Sequence, residues 1–207
     1  KTHFKLKDGK LALCEPAEAT VRVYNIPSDE EKRELIETLG IDAYNLDSAL
    51  DPDEISRVEF DRQRVSIIWK LPYKGTEGAT FDVTSMGFFL DDSGLTIISS
   101  ESAESFLQSE FRSMNSLQGF LLRYFAYTTR QFLGHLKAIK QTTAQLESEI
   151  GTSLANEVFL KMFDLSERLV YYLNAIEANG AVLEKLRDRI ERFELSMRQI
   201  GFLDDII

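Results

Sequence analysis

The chain has 207 residues, 43% hydrophobic and 28% charged, the balance of a folded protein and not of a disordered one. Asp and Glu exceed Lys and Arg by 34 to 24, and the resulting net charge of −10 argues against a nucleic-acid binder, whose affinity rests on neutralising phosphates. The single cysteine, Cys14, excludes an internal disulfide and a cysteine zinc site and fits a reducing compartment.

Lys1 to Lys7 lack the apolar core of a signal peptide, and His3 is expected in a frayed terminus. Leu11–Cys14 and Thr20–Tyr24 are short β-favouring runs. A helix opens after Pro27, with Ser28 as N-cap and Glu31 at the capping-box position three residues on. Leu35, Ile36 and Leu39 supply its apolar face, and Gly40 ends it. A second short helix spans Ala43 to Leu50 and stops at Asp51-Pro52.

Strands are predicted over Ser56–Phe60, Val65–Leu71, Ala79–Val83 with Met86–Leu90, and Leu95–Ser99. Asp61-Arg62-Gln63 and Asp91-Asp92-Ser93-Gly94 have the chemistry of hairpin turns, so this part of the sheet is antiparallel. Asp91–Gly94 lacks the spacing and distal glutamate of a calcium loop and reads as a turn. Val65 to Trp69 is nearly all apolar, which suggests a central strand covered on both faces.

From Glu101 onward helix is favoured throughout. Leu121, Phe125, Thr128, Phe132, His135, Ile139, Thr142 and Leu146 recur at alternating spacings of three and four. So do Val158, Met162, Leu165, Leu169, Tyr172, Ile176, Asn179, Leu183, Leu186, Ile190 and Phe193. Such a repeat predicts two long antiparallel helices packed along a seam. They reverse at Gly151-Thr152-Ser153, with Ser153 as N-cap. The second helix is expected to run unbroken from Ser153 to Glu191, tolerating Gly180 at about 1 kcal/mol. A break between Glu194 and Gln199 and a further helix from Gly201 follow. The chain ends on Leu203-Asp204-Asp205-Ile206-Ile207 without a helix stop signal and reads as a segment cut inside an element that continues. No stretch has the roughly 18 apolar residues a spanning helix needs.

Catalytic motifs are scarce. No glycine-rich phosphate loop and no nucleophile elbow occur, and His135 on the seam reads as a packing residue, so neither nucleotide binding nor catalysis is expected. The remaining chemistry is acidic: Asp42, Asp47, Asp51, Asp53 and Glu54 around the second helix, and Asp204 and Asp205 at the end. Taken alone, each group reads first as solvated caps and turns; oxygen ligands for a hydrated Mg²⁺ are the second reading.

Three stretches resemble the cytosolic domain of CorA-type magnesium transporters. Pro27-Ser28-Asp29-Glu30-Glu31 resembles that family's first helix opening, and Leu39 to Leu50 its second helix. Arg57-Val58-Glu59-Phe60 leading into Val65–Trp69 resembles its entry into a central strand. The chain departs from the pattern at Asp42-Ala43, where the family has His-Pro, and at Ile55-Ser56-Arg57, where it has Arg-Pro-Lys. Ser48 stands where the second of two helix carboxylates is expected.

The resemblance implies an α+β (α/β/α-like) fold: a small mixed, partly antiparallel sheet with short helices, packed on a long antiparallel hairpin and the start of a stalk helix. The implied domains are residues 1–100 for the sheet, 101–193 for the hairpin and 194–207 for the stalk, with membrane helices and a Gly-Met-Asn motif beyond Ile207. It further implies a non-catalytic regulatory domain at the cytoplasmic face of the inner membrane, working as a homopentamer. This domain would sense Mg²⁺, or Co²⁺, Ni²⁺ or Zn²⁺, between subunits, with Asp47 facing Asp204 or Asp205. The alternative is a soluble, non-catalytic interaction module that binds a partner along its helical hairpin.

Overall fold

The computed structural model describes residues 1–73, 81–100, 114–149 and 155–207. In chain order the elements are β1 (Thr2–Lys7), β2 (Lys10–Leu13), β3 (Val21–Asn25), α1 (Asp29–Glu37), α2 (Ala43–Leu50), β4 (Arg57–Phe60), β5 (Arg64–Tyr73), β6 (Asp82–Asp91), β7 (Gly94–Ser99), α3 (Leu117–Glu149), α4 (Ala155–Asp188), α5 (Ile190–Phe193) and α6 (Met197–Asp204). The strands form one sheet in the order β2-β1-β3-β7-β6-β5-β4, antiparallel at every pair except β3 with β7. The α+β expectation holds.

Local chemistry explains the short helices. Glu31 N donates to Ser28 Oγ at 3.3 Å while Ser28 N donates to Glu31 Oε2 at 3.0 Å, so two donors that the first turn of α1 would leave orphaned are satisfied. Gly40, at φ +62°, turns the chain into α2 in a conformation a side chain would strain. The Asp91–Gly94 turn is held by Asp91 Oδ1, which accepts from Ser93 N at 2.9 Å, and Gly94 takes φ +125° against the Thr20 carbonyl.

Two apolar layers sandwich the sheet. On one face Val23, Ile67, Phe88 and Ile97 meet Leu121, Phe125, Leu186 and Leu203 from α3, α4 and α6. On the other, Tyr24, Ile68, Phe89 and Ile98 meet Leu35, Leu46 and Ala49 from α1 and α2 and Ile41 from the link between them. Gly87 lets α2 lie close: a Cβ there would stand 2.5 Å from that of Ala49. A third cluster, with Phe132, Ile139, Leu165 and Tyr172, zips α3 to α4 beyond the sheet.

Several expectations need correction. His3 is not frayed; it lies in β1 opposite Arg22, because β1 is clamped between β2 and β3. The central strand is β7, buried at all six positions, whereas Val65–Trp69 belongs to β5, second from an edge though covered on both faces. Asp82–Asp91 is one unbroken strand, because it pairs residue for residue with all ten positions of β5. Gly180 does lie inside one long helix, but that helix stops at Asp188, and α5 ends on Glu194 at φ +57°. The last helix starts four residues earlier than predicted, at Met197, since Ser196 and Gln199 form a second capping box. Thr142 and Leu169 fall on the exposed side of their helices: beyond the sheet one row at spacing seven, Phe132, Ile139 and Leu146 facing Val158, Leu165 and Tyr172, stays buried, and the alternate row is only partly covered. The reversal at Gly151–Ser153 and the helix predicted from Glu101 to residue 113 lie outside the described residues.

Candidate functional site

Asp42 accepts from Asn45 N at 2.9 Å and is the N-cap of α2, which accounts for its place in the acidic group. One side of α2, at Asn45 and Ser48, faces Arg57 at the start of β4, and there Glu54 is neutralised within the chain. Arg57 Nη2 donates to Asn45 Oδ1 at 2.9 Å and to Ser48 Oγ at 3.1 Å, while its Nη1 lies 3.2 Å from Glu54 Oε1. Its Nε donates to Glu59 Oε1 at 2.9 Å, and the guanidinium covers the Tyr44 ring at 4.8 Å. Ser48, which replaces the expected second carboxylate, donates to Glu54 Oε2 at 2.7 Å and so draws a carboxylate from the following loop beside it. That hydrogen bond, opposed by burial and helped by the Ile55 amide and Arg57, holds the Glu54 carboxyl below its ordinary value.

The sequence places Arg57 at the entry to a strand, but only the fold assigns it the role of cation of this group. The available signal was the alternation Glu54, Arg57, Glu59, a cation flanked by carboxylates at spacings a loop and a strand can bring together.

Asp47 sits on the solvent side of α2, exposed. Asp204 ends α6 and is ion-paired with Arg187 of α4, and Asp205 is the exposed C-cap of the same helix. Among the described residues no three or more His, Cys, Asp or Glu side chains converge as a metal site, so these three aspartates do not build one within a single chain. His135 Nδ1 and Tyr172 Oη are 2.7 Å apart, and burial pushes the Tyr172 hydroxyl up, out of the physiological range. This is helix packing, as the heptad position predicts.

Between α4, the loop after α2 and the ends of β5 and β6 lies a cavity of about 960 Å³, bordered by Pro52, Lys70, Asp82, Asp164, Arg168 and Tyr171. Lys70 is 7% exposed and its ammonium donates to the Pro52 carbonyl. Burial lowers its pKa, opposed in part by Asp53, Asp51 and Glu54. Arg168 pairs with Asp164 at 2.9 Å and donates to the Phe81 carbonyl at 3.0 Å, tying α4 to the start of β6.

Arg64 ties the α1–α2 corner to the β6–β7 turn, donating to the Leu39 and Gly40 carbonyls and pairing with Asp91 at 2.8 Å. Burial pushes the Asp91 carboxyl up, but hydrogen bonds from Ser93 and Arg64 outweigh it and hold the pKa below the ordinary value. A carboxyl depressed in the folded state stabilises fully above its unfolded pKa of about 4 and loses that contribution as pH falls through the folded value. Arg64→Gln is therefore expected to cost more stability at pH 7 than at pH 3. The gap narrows without closing, because the bonds to the two carbonyls do not titrate. Urea midpoints of both proteins at the two pH values measure it, and a gap of equal size at both would show that Arg64 does not hold Asp91 down.

The comparisons with known proteins agree on one family. The model of the CorA-like Mg²⁺ transporter protein family matches residues 23–206. The chain is 27% identical over 199 residues to the cobalt/magnesium transport protein CorA of Methanocaldococcus jannaschii, a match covering 87% of this chain and 61% of that protein. The structure is similar to the soluble domain of CorA from the same organism, with a TM-score of 0.73 and 23% identity over 89% of this chain and 76% of that one. It is also similar in fold to the ZntB cytoplasmic domain from Vibrio parahaemolyticus, with a TM-score of 0.68 and 11% identity over 100% of this chain and 89% of that one. Among the described residues no helix is long and apolar enough to cross a membrane.

Proposed function

Because this chain belongs to the CorA-like Mg²⁺ transporter family, we propose that it is the cytosolic regulatory portion of a divalent-cation channel. Residues 1–100 serve as the sheet domain, 101–193 as the hairpin and 194–207 as the start of the stalk helix. The family match across residues 23–206 is the observation that carries this reading. The sandwich fold, similar to a CorA soluble domain, supports it. The chain itself catalyses nothing.

Subunits assemble as a homopentamer at the cytoplasmic face of the membrane, and Mg²⁺ is sensed between them. Asp47 of one subunit and Asp204 or Asp205 of its neighbour hold a hydrated ion; Co²⁺, Ni²⁺ and Zn²⁺ are further candidates. Like-charged acidic faces need a counter-ion to approach, so loss of the ion shifts the population toward a splayed, conducting arrangement. The Arg187–Asp204 pair bears on this reading: a guanidinium already occupies Asp204, so an ion binding there competes with Arg187.

The test is thermal unfolding of the chain with and without Mg²⁺. For a site with Kd of about 1 mM, about 10 mM Mg²⁺ adds about 1.4 kcal/mol and raises Tm by roughly 3–6 °C. Asp47→Ala/Asp204→Ala/Asp205→Ala is expected to abolish that shift, and Arg187→Gln, which releases Asp204, to enlarge it. Equal stabilisation of wild type and the triple variant would remove the proposed site.

A second reading, an interaction module docking a partner on the hairpin, is favoured by one observation. Phe159, Phe163, Val170 and Leu173 form an apolar stripe on α4, each more than half exposed, on a flank of the helix beside its seam with α3.

A further inference from the structure

In a chain with ten more acidic than basic side chains, one recess runs strongly the other way. A pocket of about 430 Å³ is lined by Phe60, Asp61, Arg62, Lys185, Arg189 and Arg192, four cations against one carboxylate. The cations come from separate parts of the chain: Arg62 from the β4–β5 turn, Lys185 and Arg189 from the end of α4 and the bend after it, and Arg192 from α5. Lys185 Nζ donates to the Val58 carbonyl at 2.8 Å and Arg192 Nη2 to the Asp61 carbonyl, so both are tethered to the hairpin beside the recess. The carboxylate of Asp61 is turned into the hairpin, where it accepts from Arg62 N at 2.7 Å. No hydrogen bond or ion pair within the described residues engages the guanidinium groups of Arg62 and Arg189.

Structure alone accounts for part of this. Cations are favoured in the last turn of a helix by its dipole, which explains Lys185 and Arg189. It does not explain Arg62, which a different element delivers to the same recess. Nor is the stripe relieved by acids as elsewhere on α4, where Glu157 pairs with Lys161 and Asp164 with Arg168 at spacings of four. Neither Lys185 nor Arg189, the latter in the bend beyond the helix, has an acid four residues away.

We propose that this recess binds a soluble multivalent phosphate, a di- or triphosphate group, through the free guanidinium forks of Arg62 and Arg189 with Lys185 and Arg192 as flanking charges. A guanidinium offers paired N–H donors matched to phosphate oxygens, and two converging forks suit two linked phosphates better than one. A concave recess with a single half-buried aromatic, Phe60, and no exposed apolar side chain to insert fits a soluble anion and not a lipid surface. Recognition by side chains, without a glycine-rich backbone cradle, makes the affinity steeply dependent on salt.

The test is calorimetric titration of the 207-residue chain with sodium pyrophosphate in metal-free buffer at low and moderate salt. Saturable binding at one site is expected, weakened at least tenfold in Arg62→Gln/Arg189→Gln and weakened by added salt. The control Arg33→Gln/Lys137→Gln removes the same charge from exposed positions outside the recess and should bind as wild type does. All three proteins are compared at matched circular dichroism, so that a folding defect is seen separately. Equal binding by wild type and the recess variant, equal loss in the control, sulfate binding as well as pyrophosphate, or binding to phosphatidylglycerol vesicles in place of pyrophosphate would each overturn the proposal.

Discussion

Trp69→Ala is expected to lower the unfolding free energy by about 3–5 kcal/mol, the largest single-residue effect in the chain. Trp69 is fully buried in β5, its ring centroid stacks 4.2 Å from that of Phe125, and its Nε1 donates to Thr128 Oγ1 at 2.9 Å. Truncation empties the middle of the layer between the sheet and α3 and removes an aromatic pair as well as a hydrogen bond. Thr128 also donates toward the Phe125 carbonyl at 3.0 Å, so its hydroxyl keeps a partner and the cavity dominates the cost. For a chain of this length the loss corresponds to a Tm lower by roughly 10 °C. Urea unfolding of Trp69→Ala and Trp69→Phe separates the contributions: the phenylalanine variant should recover more than half of the stability. If both variants lose the same amount, the indole hydrogen bond and not the packing holds α3 on the sheet.

Asn179→Leu should cost nearly as much, about 3–4 kcal/mol, for a different reason. Strand β4 pairs with β5 only from Val65 to Ile68, so the outer edge of β5 is unpaired from Trp69 onward. Asn179 of α4 caps that edge with its amide: Lys70 N donates to its Oδ1 at 3.0 Å, and its Nδ2 donates to the Lys70 carbonyl at 2.8 Å. Ser56 Oγ donates to the same Oδ1 at 2.7 Å. A leucine fills the volume and strands two backbone groups and a hydroxyl out of water, each at about 1–3 kcal/mol before local adjustment. Amide exchange gives a readout specific to the capping: the Lys70 amide should lose protection while Ile67 and Phe88 keep theirs. If the Lys70 amide stays protected in a stably folded variant, the capping role is wrong. Under the proposed function this contact matters beyond stability, because α4 is the element that links the sheet to the terminal helix, and Asn179 fixes where along β5 it sits.

Asn179 also illustrates how far the sequence can be read. Its place on the seam followed from the heptad spacing, and it is buried as that spacing requires. Its task did not follow, because a polar residue on an apolar stripe signals a partner without naming it. The acidic group around α2 repeats the lesson. Asp42 was legible as a cap from its position before Ala43, whereas the neutralisation of Glu54 depends on Arg57 folding back over Ser48 and Asn45. The pairing of Asp204 with Arg187 spans a break between helices, and no spacing rule extends across such a break.

What the sequence determined by itself is whatever is decided within a few residues. The Ser28–Glu31 capping box, the bounds of α2, the two hairpin turns and the long amphipathic runs of α3 and α4 all rest on donors, acceptors and apolar side chains that meet within one or two turns. Tertiary structure alone decided the capture of β1 as a strand, the parallel pairing of β3 with β7 and the central place of β7. It also decided the convergence of Arg62 with Arg189 and Arg192 on one recess. The β3–β7 pairing and the recess join residues about 70 to 130 positions apart, and even β1 reaches across about 20 residues to β3, distances at which no local spacing rule selects the partner.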